Sequence, residues 1–217
     1  MPRSFRNGPL CRLYDKLVPG PNRCFGCGKE AILNDAGLCP TCQRNVLFCP
    51  PPRCLPPLDG LSIGVQYTPP IRRAVLNLKF WRRSACAPFL VQFMRIPPDW
   101  RADILVPVPM HPLRRLIRRN NHSSLLAQQL AAETGIPFTN ALLRKTKYTY
   151  PQKRFLPGAR RNRLRGSFSA MPQCAGLRIV LIDDVFTTGA TVYECAKELK
   201  RAGAAAVYAC VVASSRH

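Results

Sequence analysis

The chain has 217 residues, of which 33 are Lys or Arg and only 11 are Asp or Glu, so its formal net charge is +22. A hydrophobic content of 47% is typical of a folding chain and excludes a basic disordered tail. The large positive excess predicts a polyanionic partner, with nucleic acid or a phosphate-rich ligand ahead of an anionic membrane surface.

The first 57 residues are rich in proline and cysteine and lack a periodic apolar pattern. They contain seven of the 11 cysteines. A segment this short and this poor in apolar side chains needs a crosslink to fold. A proline-rich run over 50–57 then forms a stiff connector. We therefore predict two domains, a cysteine-rich domain over 1–57 and a larger domain over 58–217.

Two Cys-x-x-Cys motifs stand 11 residues apart in the first domain. Each motif brings two thiolates to one point, and two motifs complete the tetrahedral four-sulfur shell that Zn²⁺ prefers. Reduced, metal-free thiols are the alternative, and a redox role is less favoured because a redox motif is a single pair at a helix start. Cys49 and Cys54 could replace one of the ligands or remain free, and they are left outside the predicted set. The predicted ligands of a structural zinc are Cys24, Cys27, Cys39 and Cys42.

Strands and helices alternate from Leu61 onward. Apolar runs predict strands over 61–67, 103–106, 178–182 and 206–213. Helical spacing of apolar residues predicts helices over 70–80, 113–134 and 191–201, the second ending at Gly135 and the third at Gly203. This alternation predicts an α/β fold, with a mostly parallel sheet covered by helices on both faces.

No apolar run approaches the roughly 20 residues that a membrane-spanning helix needs. The first nine residues are polar and lack the apolar core of a signal peptide. An odd number of cysteines, 11, fits a reducing compartment in which thiols bind metals or pack in the core. We therefore expect a cytoplasmic protein that is not an integral membrane protein.

The run Ile-Val-Leu-Ile-Asp-Asp-Val-Phe-Thr-Thr-Gly-Ala-Thr over 179–191 joins the third predicted strand to the third predicted helix. The unpaired N–H groups and positive dipole end of a helix N-terminus suit a phosphate, and Gly189 allows the backbone to approach it closely. The two carboxylates at the strand end can accept hydrogen bonds from sugar hydroxyls and face a Mg²⁺ that accompanies a pyrophosphate. A helix cap or a solvated turn is the less favoured alternative. The predicted site comprises Asp183, Asp184, Val185, Thr187, Thr188, Gly189, Ala190 and Thr191.

This run resembles the phosphoribosyl-pyrophosphate (PRPP) signature of type I phosphoribosyltransferases. Further blocks narrow the resemblance to the ComF (competence protein F) family: the cysteine-rich N-terminus, the Leu-Lys-Phe that ends at Phe80, Val-Pro-Val-Pro over 106–109, and Gly-Ser-Phe over 166–168. Over 118–122 the chain reads Arg-Arg-Asn-Asn-His where the family usually reads Arg-Gly-Phe-Asn-Gln. Arg163 stands where an Asn commonly precedes the Gly-x-Phe block.

The resemblance implies a type I phosphoribosyltransferase fold with a small N-terminal zinc-binding domain. It places Asp183 and Asp184 on the ribose hydroxyls of PRPP, residues 187–191 on the 5′-phosphate, and the loop after Val106 on the pyrophosphate side. It also implies a role in natural transformation, in moving incoming DNA across the inner membrane, with DNA-uptake proteins at that membrane as partners. The alternative function is Mg²⁺-dependent transfer of ribosyl-5-phosphate from PRPP to an acceptor that the sequence does not identify.

The middle of the chain is strongly basic. Residues 111–168 contain 13 Lys or Arg against one acid, Glu133, and aromatic residues at 148, 150 and 155 interleave with them. Aromatic stacking beside a basic groove predicts single-stranded DNA binding, whereas the alternative is a generally basic surface. Residues 145–165 are further interpreted as a flap over PRPP. The predicted nucleic-acid contacts are Arg114, Arg115, Arg118, Arg119, Lys153, Arg160 and Arg161.

Overall fold

The computed structural model describes residues 23–54, 56–80, 85–111, 121–147 and 164–215. The strands are β1 (Gly60–Gln66), β2 (Ile104–Pro107), β3 (Leu143–Lys145), β4 (Phe168–Ala170), β5 (Arg178–Phe186) and β6 (Ala206–Ser214). The helices are α1 (Pro40–Arg44), α2 (Pro69–Phe80), α3 (Cys86–Val91), α4 (His122–Thr134) and α5 (Ala190–Arg201). Two short 3₁₀ turns cover Pro98–Trp100 and Pro172–Cys174.

Four parallel strands form the central sheet in the order β1–β6–β5–β2. In register, Leu105 of β2 lies beside Val180 of β5, which lies beside Tyr208 of β6, which lies beside Gly60 of β1. Strands β3 and β4 form a separate antiparallel pair. The parallel sheet confirms the α/β prediction.

Strand β5 is buried on both faces because its side chains alternate between two apolar clusters. Val180 and Ile182 pack in the cluster that contains α2, α3 and α4. Ile179 and Leu181 pack on the opposite face, in the cluster that contains α5. All four side chains are fully buried, and each stabilises the fold by roughly 1.5–3 kcal/mol. Helices therefore cover both faces of the sheet, as predicted.

Most predicted boundaries agree with the structure to within a residue or two. Strand β5 is the exception, because it continues to Phe186 instead of ending at 182. It continues because β6 runs beside it and pairs Val185 with Ala213. Helix α4 begins at His122, and residues 112–120 of the predicted 113–134 helix lie outside the described residues. It ends as predicted at Gly135, whose φ is +74° and whose N–H donates to the Ala131 carbonyl.

The cysteine-rich segment packs directly on α2 and α3. A Cβ at Gly26 would lie 2.7 Å from the Pro70 Cβ, and the ring of Phe25 stacks on that of Phe89 with 5.0 Å between centroids. Residues 47–49 also pair with β1, since the Cys49 N–H donates to the Gly64 carbonyl at 3.1 Å. The cysteine-rich residues therefore share an apolar cluster with α2 and α3, and the domain boundary at 57 stays a prediction.

Within the described part of the chain, no helix has both the length and the apolar composition that crossing a membrane requires.

Candidate functional site

A cavity of about 370 Å³ opens at the carboxyl ends of β2 and β5. Ligands of open α/β sheets bind at this edge, outside the strand ends. The walls come from the end of α2, the loop 108–111 after β2, the N-terminus of α4, Lys145 of β3, and the β5–α5 junction. Seven of the eight predicted PRPP-site residues line the cavity together, namely Asp183, Asp184, Val185, Thr187, Gly189, Ala190 and Thr191.

Thr188, the eighth residue, shapes the loop from within. Its hydroxyl accepts a hydrogen bond from the Ala190 N–H at 3.4 Å. Gly189 precedes α5 with φ +75°, the left-handed region that only glycine adopts without strain. A Cβ there would lie 2.6 Å from the rings of both Phe186 and Tyr193. The first turn of α5 contains no acidic residue, so its positive end is open to an anion from outside the helix.

Asp184 is the deeper of the two carboxylates, with 4% of the residue exposed. Lys79 Nζ lies 2.9 Å from its Oδ1 and 2.8 Å from its Oδ2, and His122 Nε2 lies 3.0 Å from Oδ2. Burial alone would raise the pKa of Asp184, but its electrostatic interactions and hydrogen bonds with His122 and Lys79 outweigh burial and hold the pKa well below its usual range. Asp184 is therefore ionised throughout the neutral pH range.

Asp183 is partly buried and faces the cavity. Its Oδ1 accepts hydrogen bonds from the Ser123 hydroxyl at 3.1 Å and from the Asp184 N–H at 3.0 Å. Burial, followed by the neighbouring charge of Asp184, raises the pKa of Asp183 to about 6. The pKa values of the two adjacent carboxylates are therefore shifted in opposite directions, that of Asp183 upward and that of Asp184 downward.

Sequence reasoning missed the residues that hold this acidic pair. Lys79 is 105 positions from Asp184 in the sequence, and no local pattern links the two residues. His122 and Ser123 were treated as part of a long helix, whereas they form the first turn of α4. Two signals were available: Lys79 belongs to the Leu-Lys-Phe block, and His122 occupies a position where the family pattern has Gln.

The seven predicted nucleic-acid contacts lie outside the described residues. The same is true of 148–163, most of the predicted flap. The residues on either side of that segment are joined, since the Thr146 N–H donates to the Ser167 carbonyl at 2.9 Å. Lys145 lines the cavity, and its Nζ lies 5.3 Å from the centroid of the Phe168 ring.

The four predicted zinc ligands come together at the other end of α2. All their sulfur atoms lie within 4.8 Å of one another, and Cys27 Sγ is 3.9 Å from Cys39 Sγ. Tetrahedral zinc with bonds of about 2.3 Å holds its sulfur atoms about 3.8 Å apart, so the spacing fits this metal.

The backbone around the cluster favours the thiolate of Cys24, whereas burial raises the pKa of the Cys27 and Cys42 thiols. The Cys39 N–H donates to Cys24 Sγ at 3.3 Å. Burial raises the pKa of the Cys24 thiol, but N–H groups of Cys39, Cys27 and Gly26 together lower it to about 7. Cys54 stands apart from the four sulfurs and donates to the Leu58 carbonyl at 3.5 Å. The cluster is therefore compatible with a closed, four-sulfur zinc site.

The sheet, the β5–α5 junction and the cavity define a type I phosphoribosyltransferase fold. The family model of the phosphoribosyl transferase domain matches residues 120–217. Among solved structures, glutamine PRPP amidotransferase from B. subtilis, complexed with ADP and GMP, is similar with a TM-score of 0.38 and 25% identity. That similarity covers 58% of this chain and 25% of the amidotransferase chain.

Similarity to whole curated proteins defines the family more narrowly. The chain is 32% identical over 218 residues to DNA utilization protein YhgH of Salmonella typhimurium, covering 88% of this chain and 96% of that protein. It is 30% identical, with the same coverage, to the protein of that name from Escherichia coli strain K12. Competence protein F of Haemophilus influenzae is 28% identical over 210 residues, 83% of this chain and 92% of that protein. The chain therefore belongs to the ComF family, as its sequence motifs predicted.

Proposed function

We propose that this protein binds PRPP with Mg²⁺ in the cavity and supports natural transformation, by helping incoming single-stranded DNA across the inner membrane into the cytoplasm. The observation that carries the PRPP part is the β5–α5 junction. It puts the buried carboxylate of Asp184, the partly buried carboxylate of Asp183 and a helix N-terminus without an acidic residue in its first turn in the walls of one cavity. A sugar that carries both hydroxyls and phosphate matches this arrangement.

Each part of PRPP has a complementary wall. The 5′-phosphate binds at 187–191, where the N-terminus of α5 supplies N–H groups and the positive end of the helix dipole. The ribose hydroxyls donate to Asp183 and Asp184. The pyrophosphate lies toward the loop after Val106, where His111 and Lys145 also line the cavity. Bound Mg²⁺ neutralises charge on the pyrophosphate, and carboxylate oxygens on the same wall suit that cation.

The four-cysteine cluster is, in this proposal, a structural zinc site. Its four sulfurs leave no open coordination position for chemistry. The segment that carries it packs on Pro70 of α2 and Phe89 of α3, so the metal fixes the N-terminal segment to the phosphoribosyltransferase fold.

The DNA part is supported by charge and by the relatives' names. The net charge is +22, and 13 basic residues stand in 111–168 against one acid. Similar proteins are named for competence and for DNA utilization. We assign the contacts to the predicted basic residues of 114–119 and 153–161, and we place the protein on the cytoplasmic side of the inner membrane, at its DNA-uptake machinery.

Transfer of ribosyl-5-phosphate to an acceptor is the second candidate function. The observation that favours it is the apolar side of the cavity, formed by Leu76, Phe80 and Val108. Phe80 is 58% exposed and offers a ring on which a planar acceptor can stack. Release of pyrophosphate from PRPP, screened over candidate acceptors with wild type and Phe80→Ala, tests this function. Loss of release in the variant supports it, and no release with any acceptor opposes it.

Isothermal titration calorimetry with PRPP and Mg²⁺ tests the binding site. We expect one PRPP per wild-type chain and an affinity at least tenfold lower for Asp183→Asn, because a hydrogen bond to a charged acceptor contributes about 1.5–3 kcal/mol. Asp103→Asn is the matched control, since Asp103 lies at the opposite, amino end of the sheet, beside Arg178. Absence of binding by wild type, or equal affinities for all three proteins, would sink the proposal.

Fluorescence anisotropy with a labelled thymidine oligonucleotide at several salt concentrations tests DNA binding. Each phosphate contact contributes about −0.7 to the slope of log K against log salt for single strands. The Arg118→Ala/Arg119→Ala variant should therefore flatten the slope by about 1.4. The control is Arg201→Ala, an exposed arginine at the end of α5. A wild-type affinity that does not change with salt would refute the DNA proposal.

A further inference from the structure

The carboxylate of Asp184 already has a cation of the protein's own. Both of its oxygens lie within 3 Å of Lys79 Nζ, at 2.9 Å and 2.8 Å. The pair is well shielded from water, since the Lys79 side chain is 20% exposed and that of Asp184 is 5% exposed. A lysine placed evenly on both oxygens of a buried carboxylate occupies the position that a divalent cation would take.

The same place otherwise has the composition of a metal site. Ligand atoms of His122, Asp183 and Asp184 all lie within 4.8 Å of one another. Carboxylates with one imidazole are suitable ligands for divalent transition metals. The ammonium group of Lys79 is what opposes such an ion, because it places a positive charge against the central ligand of the cluster.

We propose that Lys79 is a built-in counter-ion that keeps free divalent cations out of the Asp183–Asp184 pair, so that a cation enters this cavity only together with an anionic ligand. Lys79 also positions Asp184, since its ammonium group contacts both carboxylate oxygens. Lys79 thus adds a contact from α2 to the acidic pair on β5, which α4 also contacts through His122 and Ser123.

The consequence for ligand binding rests on the proposed function. The free protein presents an ionised Asp184 without a resident metal, and the ligand's own phosphates bring the cation with them. The order of binding then follows from charge: the cation complex of the sugar pyrophosphate binds, and the bare cation does not.

Mn²⁺ without any ligand is the probe, followed by electron paramagnetic resonance of the free ion. The variants are Lys79→Met and Lys79→Gln, which remove the charge, and Lys79→Arg, which keeps it. Lys197→Met is the matched control, because Lys197 forms a similar pair with the buried Glu194 on α5 at 3.0 Å. Circular dichroism and thermal midpoints show that each variant is folded.

We expect wild type, Lys79→Arg and Lys197→Met to leave Mn²⁺ free. Lys79→Met and Lys79→Gln should bind Mn²⁺ at least about tenfold more tightly than wild type does, because a unit positive charge a few ångströms away repels a divalent ion strongly. Adding Asp184→Asn to Lys79→Met should abolish the gained binding. Wild type that binds Mn²⁺ as tightly as Lys79→Met would overturn the proposal. So would folded charge-removing variants with no gain.

The experiment separates this inference from the proposed function, because no PRPP is present in it. Adding PRPP to wild type afterwards should immobilise Mn²⁺. If wild type excludes Mn²⁺ without PRPP and still does not immobilise Mn²⁺ after PRPP is added, PRPP binding is refuted and the counter-ion role of Lys79 is left intact.

Discussion

Replacing Gly189 by alanine tests how closely the phosphate loop is packed. Gly189 has φ +75°, and a left-handed conformation costs an alanine roughly 1–2 kcal/mol. The added methyl would also lie 2.6 Å from Phe186 Cζ and 2.6 Å from Tyr193 Cε2. Both residues are buried and their rings pack edge to face at 6.3 Å, so they have little room to move. Overpacking of this kind costs a further ~1–3 kcal/mol.

Gly135→Ala is the matched control for this substitution. Gly135 has nearly the same φ, +74°, and no atom of the described residues lies within 4 Å of an added Cβ. A destabilisation of 1 kcal/mol lowers the thermal midpoint of a chain this size by about 2–4 °C. Thermal melts should therefore show a loss of about 2–8 °C for Gly135→Ala and about 4–20 °C for Gly189→Ala. Equal losses within about 1 °C would refute the close packing on which the loop geometry depends.

Three further outcomes follow from the described contacts. Removing one member of the Lys79–Asp184 pair, by Lys79→Met or Asp184→Asn, should lower the free energy of unfolding in urea by about 3–5 kcal/mol. The double variant should lose less than the sum of the two single losses, and strict additivity would contradict a direct ion pair. Atomic absorption should find zinc in wild type and in Cys54→Ser but not in Cys24→Ser; a wild type without zinc, or zinc retained by Cys24→Ser, would contradict the ligand set. Hydrogen bonds from Arg178 lower the pKa of Asp103 to about 2. The stability that these hydrogen bonds give is therefore present above about pH 4 and is lost as the pH falls through about 2. Solvent screens this partly exposed pair, so the loss is small. Urea melts of Asp103→Asn should lack it, and an acid limb unchanged by the substitution would contradict the assignment.

Sites formed by residues close together in the sequence could be predicted, because a single stretch of sequence contains all the groups that bind the ligand. The run 179–191 holds strand, carboxylates, turn and helix start in 13 consecutive residues, and the structure keeps them in that order. The two Cys-x-x-Cys motifs are similarly complete, and their four sulfurs come together in the structure. The run 179–191 indicated the phosphoribosyltransferase fold, and the further blocks at 78–80, 106–109 and 166–168 narrowed the resemblance to the ComF family.

Features that depend on tertiary contacts could not be predicted. Lys79 looks like any basic residue of an amphipathic helix until α2 is placed against β5. Strands β3 and β4 have three residues each, too few to show a period of two. The two polar residues Asp183 and Asp184 interrupt the apolar pattern, so the sequence predicted that β5 ends before them. In the structure, pairing with β6 extends β5 to Phe186.

Phosphorus-31 magnetic resonance of PRPP with Mg²⁺ tests the central claim most directly, since each phosphorus reports its own surroundings. We expect wild-type protein to shift or broaden the 5′-phosphate signal together with the pyrophosphate signals, and Gly189→Ala to weaken the effect on the 5′-phosphate most. Unchanged signals with wild type, or a change confined to the pyrophosphate, would contradict a 5′-phosphate site at the N-terminus of α5.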